Sequence, residues 1–376
     1  MPSGEHQVYD FLVVGAGLAG LSAAYHLAKD GHSVAVLEQG SGLDNATFNS
    51  TAMLDHDPDA NWDKVIARHG TEGARRVWEL SERSLTLLED YARAVHPPFI
   101  HRRVPAYIFS NSPEEDGVLE KQFETYRTLG ADVAFTKDGS AFHKKFRAVL
   151  TVKREGMTNN QALLKTLPRA IRRLGGRLFR QTPVTGISSR SGVAEVATKG
   201  GKILRGKQAV IATGLETGLL PNLPQLTTTK RTFVVQFKKH GLPELFRSSL
   251  LWDAAEPYHY YRSFRGFTLW AGGGDIEESA YDEKKDYFAP LENFFRTRMD
   301  FDASYERTGE WSGTFYQTET GLPFIGKLKG EPMFLTLGFG GTGIATSFLS
   351  GYLIASWAQG KETDAKRLFS LGDIGE

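Results

Sequence analysis

Residues 9–40 read YDFLVVGAGLAGLSAAYHLAKDGHSVAVLEQG, and the order of residue types along this stretch decides the fold class. Phe11-Leu12-Val13-Val14 is a short apolar run, the pattern of a parallel strand buried on both faces. Gly15-Ala16-Gly17-Leu18-Ala19-Gly20 follows at once. Leu18, Leu21, Ala24 and Leu27 then recur at helical spacing as far as Gly31. A second strand spans 33–37 and ends at Glu38. Gly15 permits the tight turn out of the strand, Gly17 lets the backbone approach a pyrophosphate, and Gly20 lets the helix pack closely on the sheet. The helix N-terminus, with Leu18 and Ala19, offers unpaired N–H groups and about half a positive charge to the phosphates. Glu38 lies 18 residues beyond Gly20, beside Gln39, placed to accept hydrogen bonds from ribose hydroxyls and to repel a 2′-phosphate. Strand, glycines, helix, strand and acid within one unit specify a dinucleotide site. By themselves they do not separate FAD from NAD.

Outward from this unit, bulk composition narrows the class. The chain has 376 residues, 40% hydrophobic and 24% charged, with a net charge of +1. That describes a packed soluble protein of two intimate domains, without the basic field that nucleic acid requires. There is no cysteine. Disulfides, Cys-ligated zinc, iron–sulfur clusters and a flavin attached through a Cys thioether are therefore excluded. The start carries no secretory pattern, because the apolar run at 11–24 is broken by glycines and preceded by Glu5 and Asp10. The apolar run 333–358 is long enough to span a bilayer. Gly338, Gly340, Gly341 and Gly343 instead break it into strand, turn and helix. A cytoplasmic protein without an integral membrane segment is expected.

Further along, 159–174 reads as a helix that Pro168 should kink or split. Strands follow at 184–188, 193–198 and 208–211, the last running into Ala212-Thr213-Gly214. With the N-terminal GAGLAG and Glu38, the segments QTPVTGI (181–187), VIATG (210–214), TGLPFIG (320–326) and LGFGGTGIATSFLSG (337–351) make the chain resemble the FAD-dependent D-amino-acid oxidase superfamily, which includes glycine and sarcosine oxidases. The resemblance implies FAD as cofactor. It implies that Val184 touches the adenine through its backbone, that Thr213 and Gly214 line the dinucleotide, and that Gly338, Gly340, Gly341, Thr342, Gly343 and Ile344 lie beside the isoalloxazine ring. A helix beginning there, aimed at the N1–C2=O edge, would stabilise the reduced anionic ring. The segments LLWDAAEPYHYYR (250–262), LWAGGGD (269–275) and WSGTFYQTETGLPFIG (311–326) resemble the members often fused to a Rieske domain. The absence of cysteine and the end at Glu376 imply that this chain lacks that domain.

The expected architecture is α/β: a Rossmann-like FAD-binding domain (1–90, 150–215 and 320–376) interleaved with an α+β substrate domain (91–149 and 216–319) carrying a mainly antiparallel sheet. Three stretches should reach the ring. In the first, Ser50 and Thr51 are candidate pyrophosphate or ribityl ligands, and Ala52-Met53-Leu54 stands where glycine oxidase-like enzymes have Gly-Met-Leu. In the second, Tyr258 and Tyr260 share one strand face, His259 and Tyr261 the other. Tyr258 falls where the family has a substrate-contacting tyrosine. In the third, the two carboxylate clamps of the family are missing. The position eight residues before Pro323 is Phe315, not arginine, and the position two after Gly343 is Ala345, not lysine. Either a carboxylate is held elsewhere, with Arg262 as a candidate, or the substrate has none. The latter favours an amine, an alcohol-like substrate or a bulkier apolar molecule in an aromatic pocket of Phe315, Trp311, Tyr258 and Tyr260, where a desolvated cation could rest.

Flavin carries the redox chemistry, so the expected enzyme is an FAD-dependent oxidase or dehydrogenase. It would move hydride from the carbon beside nitrogen to flavin N5 in a small amine or amino-acid-like molecule. Rival readings are oxidation of a C–OH bond on the same scaffold and a non-catalytic FAD-containing binding protein. Oxygen or a separate redox partner would take the electrons back, and the oligomeric state stays open. Asp55-His56-Asp57-Pro58-Asp59 reads as a solvated turn rather than a metal loop. Lys144-Lys145, Arg147 and Lys153-Arg154 read as a solvated face.

Overall fold

The computed structural model describes residues 7–42, 45–95, 101–214, 217–219, 227–361 and 363–370. Two sheets organise them. The first runs in the order Phe324–Lys327, Met333–Leu337, Ile203–Ile211, Val8–Val14, Val34–Leu37 and Arg177–Phe179. Its centre is parallel: Val14 pairs with Ile211 on one side and Leu37 on the other. The hairpin Val184–Arg190/Val193–Thr198 joins antiparallel to Ile203–Ile211. Alternation along the strands sorts the core into two layers. Val13, Val36, Val210 and Phe334 face the helices Leu18–Lys29, Asn160–Arg173 and Gly343–Ala358. Leu12, Leu37, Ile211 and Leu335 pack with Ala194 and Val196 of the hairpin.

Helices Leu18–Lys29 and Gly343–Ala358 cross so closely that a Cβ on Gly351 would strike Ser22. The Ser22 hydroxyl donates to the Phe348 carbonyl at 3.0 Å. This crossing sets the two glycine loops, 15–20 and 338–343, beside one another. The long apolar run is thus strand Met333–Leu337, loop, and helix Gly343–Ala358. Among the described residues no helix is long and apolar enough to cross a membrane. Helix Asn160–Arg173 runs through Pro168 without splitting. Proline removes one backbone bond there, and the buried stripe of Leu163, Leu164, Leu167 and Ile171 holds the helix together.

The second sheet runs Glu306–Gln317, Thr228–Lys238, Thr268–Glu277, His259–Phe264, Leu250–Asp253, His101–Phe109, Val149–Thr158 and Met53–Leu54, with Val133–Thr136 also on Val149–Thr158. All its pairings are antiparallel except Leu250–Asp253 with His101–Phe109. One face packs Phe233, Phe237, Tyr261 and Leu269 on Phe295 of helix Phe288–Arg298. The other carries Val234, Tyr260 and Trp270, with Met53, Trp252, Tyr258 and Trp311 against them. The sequence boundaries put Met53–Leu54 and most of Val149–Thr158 with the flavin part, and both run in this second sheet. The boundary at 215/216 lies outside the described residues.

Candidate FAD and substrate site

A single cavity of about 810 Å³ begins at the first glycine loop and continues over the second sheet. Gly15, Gly17, Leu18, Ala19, Glu38, Gln39, Ser50, Thr51, Val184, Thr213, Gly214, Gly338, Gly340, Gly341, Thr342, Gly343 and Ile344 all line it. Gly17 caps helix Leu18–Lys29, and a Cβ there would find only Thr47 Oγ1, at 3.9 Å. A phosphate can therefore approach that helix end. Gly20 does not line the cavity; a Cβ on it would run into the Gly15 carbonyl. It works by letting the helix sit on the loop.

Glu38 accepts hydrogen bonds from Ala16 N–H at 2.8 Å and Gly40 N–H at 2.8 Å. It holds the loop shut against the strand end and keeps its remaining lone pairs for a ribose. At the far end, Gly340 N–H donates to the Tyr316 carbonyl at 2.8 Å, pinning the second glycine loop to strand Glu306–Gln317. Thr336 Oγ1 and Thr342 Oγ1 are both closed to solvent, lack a hydrogen-bond partner, and belong to lining residues. Open glycine cradles and orphaned hydroxyls suit a long polar dinucleotide with a flavin at one end.

The segment after Asn45 is held from behind. Asn160, 4% exposed, donates to the carbonyls of Thr47, Phe48 and Ser50 at 2.7, 3.0 and 2.7 Å. Three expected site residues belong to this support and not to the cavity. Arg262 is 1% exposed and donates to the carbonyls of Thr51 and, at 2.6 Å, Thr158. Burial pulls its pKa down to about 9. A guanidinium committed to two carbonyls beneath the loop cannot grip a substrate carboxylate. Trp311 donates from Nε1 to the Asn49 carbonyl at 2.8 Å and packs edge-on against Trp270. Ala52 is fully buried, with φ 55; its methyl faces the core.

Tyr258, Tyr260, Met53 and Phe315 do line the substrate end. Tyr260 reaches Thr232 Oγ1 at 3.0 Å. A Cβ on Gly341 would lie 3.3 Å from the Tyr258 hydroxyl, so that phenol stands at the second glycine loop. His259 turns away, bonded through Nδ1 to Asp253 at 3.0 Å and stacked on Phe294.

The acidic turn is not solvated. Asp55, Asp57 and Asp59 all line the cavity, with Asp275 from strand Thr268–Glu277. His56, between them in sequence, points the other way. It is 5% exposed, stacks on Trp78, bonds to Glu155 Oε2 at 2.8 Å and also to Glu82. Burial opposes its charge, but the two carboxylates outweigh burial and raise its pKa to about 9. Asp57 is satisfied by Ala60 N–H at 3.0 Å, Trp62 Nε1 at 3.0 Å and the Tyr126 hydroxyl at 2.6 Å. Asp59 Oδ2 accepts from Gly341 N–H and Gln317 Nε2, each at 3.2 Å. Burial, with Asp57 and Asp275 nearby, pushes Asp59 up to about 7; burial pushes Asp275 up to about 6. Burial and Glu155 drive Asp55 well above the usual carboxylate range. Burial, then Asp59, Asp275, Tyr260 and Asp55, raise the Tyr258 phenol well above its ordinary value. Among the described residues that line the cavity there is no Arg, Lys or His. No three His, Asp or Glu among the described residues converge to hold a metal ion. The only trace in the sequence is Asp at every second position directly after the Met53–Leu54 strand, and strand alternation does not extend through it, since the strand ends at Leu54 and Asp59 has φ 62.

The family described as FAD dependent oxidoreductase (DAO) matches residues 10–357. The chain belongs to that family. It is an FAD-dependent oxidoreductase, and its FAD is not held through a cysteine. Among curated relatives, a glycine oxidase of Bacillus licheniformis is 30% identical over 233 residues, 61% of this chain and 59% of that protein. The chain thus spans less than two thirds of that relative. A gamma-glutamylputrescine oxidoreductase of Escherichia coli is 24% identical over 97% of this chain and 86% of its own length. The crystal structure of glycine oxidase from Geobacillus kaustophilus superimposes with a TM-score of 0.83 at 22% identity, covering 97% of this chain and 98% of the other.

Proposed function

We propose that this oxidoreductase oxidises the C–N bond of a small amine that carries no carboxylate beside the reacting carbon. One observation carries the reading: the substrate end is walled by carboxylates and aromatic rings, and no cation lines it among the described residues. An anionic amino acid would meet like charges in a partly desolvated space, which costs several-fold more than in water. An amine meets Asp59 and the face of Tyr258 instead. Glycine and gamma-glutamylputrescine, the compounds in the relatives' names, both present a C–N bond.

Bound FAD would supply the hydride acceptor at N5. The chain's own residues have three tasks. The loops at 15–20 and 338–343, with Glu38, Val184, Thr213 and Gly214, hold and orient the dinucleotide. Tyr258, Tyr260 and Phe315 form a wall that excludes water and positions the carbon beside nitrogen. Asp59, with its pKa near neutrality and its contact with Gly341, accepts the proton of the arriving ammonium, so that the nitrogen lone pair is free when the hydride leaves.

The test is an anaerobic titration of the FAD-loaded protein with amines, amino acids and hydroxy acids while the flavin band is followed. Bleaching by a carboxylate-free amine, with aldehyde and ammonia as products, is expected. Bleaching by hydroxy acids alone, or by no compound of the panel, overturns the proposal. Re-oxidation of the bleached protein with air, then with a quinone, identifies the electron acceptor.

A further inference from the structure

Resting on that reading of the site, we infer that the amine carries a neutral, apolar tail, and that the tail lies in a side arm of the cavity under helix Pro113–Thr128. The floor of the arm follows from strand register. Tyr260 pairs with Trp252, and Trp252 pairs with Ile108. Register partners on adjacent strands point to one face, and all three of these residues line the cavity. Neighbouring strands lie about 4.8 Å apart, so the row runs roughly 10 Å across the sheet from Tyr260 to Ile108. In sheet order it runs away from strand Glu306–Gln317, whose Tyr316 pins the second glycine loop.

The helix supplies the facing wall. Val118, Gln122 and Tyr126 stand four residues apart, so they form one stripe of it, and all three line the cavity. Exposure falls along the stripe, from 54% at Val118 through half-buried Gln122 to 1% at Tyr126. The chain after strand Leu250–Asp253 repeats the gradient, with Glu256 exposed, Ala254 half-buried and Asp253 buried. The arm therefore opens to solvent between Val118 and Glu256 and deepens toward Tyr126 and Trp252. Gln122 Nε2 donates to the Tyr126 hydroxyl at 2.7 Å, and that hydroxyl donates to Asp57 at 2.6 Å. This chain of bonds ties the helix to the acidic turn, so the arm is preformed.

Charge sets the chemistry of the tail. Asp57 already has three donors, and Asp253 takes His259 through both oxygens. No Arg, Lys or His lines the cavity among the described residues. Inside its mouth the arm thus offers a tail no unoccupied charge. It offers Ile108, Trp252 and Ala254, apolar surface on which methylenes leave water.

The probes are ethylamine, butylamine, hexylamine and octylamine, with the rate of anaerobic flavin bleaching followed on the FAD-loaded protein. The second-order rate is expected to rise about two- to four-fold per methylene until the tail fills the arm. Ala254→Phe and Gln122→Phe fill the arm from opposite walls, and each should lower the ratio of octylamine to ethylamine. FAD absorbance and melting temperature check that each variant folds. A flat series in the wild-type protein overturns the inference without any variant. So does a length dependence that survives in the folded variants, or a loss that is equal for ethylamine and octylamine, which would make the arm a passage and not a seat. The same series carrying two methyl groups on the carbon next to nitrogen has no hydrogen to give as hydride, and calorimetry with it reads binding alone. The two readings therefore fail separately. If amines bleach the flavin at rates independent of length and the blocked series binds alike, C–N oxidation stands and the arm falls. If the blocked series binds more tightly with length but no amine bleaches the flavin, the arm stands and the oxidation reading falls.

Discussion

Asp59 Oδ2 accepts a hydrogen bond from the Gly341 amide at 3.2 Å, and this contact joins the acidic turn to the glycine loop assigned to the flavin ring. It brings a buried carboxylate to the substrate end of the cavity, where among the described lining residues no Arg, Lys or His stands. The turn and the loop come from opposite ends of the chain, and the hydrogen bond joins them where both line the cavity.

The first expectation concerns pH. Asp59 is raised from the ordinary 3.8 to about 7, and Asp275 to about 6. A folded-state pKa above the unfolded one means that protonation favours the folded state. The contribution is fully present below about 3.8 and is lost as pH rises through 6 and 7. In the absence of substrate the melting temperature should fall across that window. Asp59→Asn should flatten the upper part of the fall. A melting temperature in Asp59→Asn with the same slope between pH 5 and 8 as wild type would show that Asp59 is not the titrating group.

Arg262 yields a different expectation. Its guanidinium supports the Thr51 and Thr158 carbonyls from below. Arg262→Met leaves both without that donor and should cost roughly 3 kcal/mol of stability. FAD retention should weaken with it, because Thr51 lines the cavity. The ratio of kcat/KM between an amine and an amino acid should stay unchanged. A selective loss of amino-acid turnover would restore Arg262 as a substrate clamp.

These two residues show where the sequence was readable. The dinucleotide unit, the apolar strands and the helix after Gly343 were legible because each follows from a local rule: hydrophobic period, turn glycine or helix start. The strand parity of Tyr258 and His259 was legible for the same reason. Arg262 was not, since its face on the strand leaves open whether the guanidinium reaches a cavity or a neighbouring carbonyl. Trp311 failed likewise: aromatic residues serve packing and pockets equally well, and its indole went to Asn49. The acidic turn misled most. Asp beside Pro has the composition of a solvated loop, and only long-range pairing with residues near 155, 275 and 341 buries it.

His56 is the anchor that turns the three aspartates toward the cavity. It sits between Glu82 and Glu155, the latter 1% exposed. His56→Ala leaves Glu155 buried without its cation and should destabilise the protein by about 3–5 kcal/mol. The sign of the pH effect follows from a folded pKa of about 9 against 6.5. The stabilisation is complete below 6.5 and is lost as pH passes 9. Wild-type melting temperature should therefore drop on the alkaline side, and the variant should lack that drop. An alkaline drop of equal size in the folded variant would place the effect elsewhere.

The glycines of the first loop separate folding from cofactor binding. Gly20 carries no side chain because the Gly15 carbonyl occupies the space. Gly20→Ala should push helix Leu18–Lys29 off the sheet and lower the melting temperature whether or not FAD is present. Gly17 faces open cavity, with nothing nearer than Thr47 Oγ1 at 3.9 Å. Gly17→Val should keep the apoprotein melting temperature close to wild type and fill the space a phosphate needs. Losing the close approach to the helix end alone weakens binding by about 1–2 kcal/mol, roughly ten-fold, and steric exclusion adds to it. The pair of variants is read by melting temperature without FAD and by the ratio of flavin to protein absorbance with it. A Gly17→Val protein that retains FAD at full occupancy would mean that the phosphates do not pass this helix end, and the assignment of the cavity's first half would have to be redrawn.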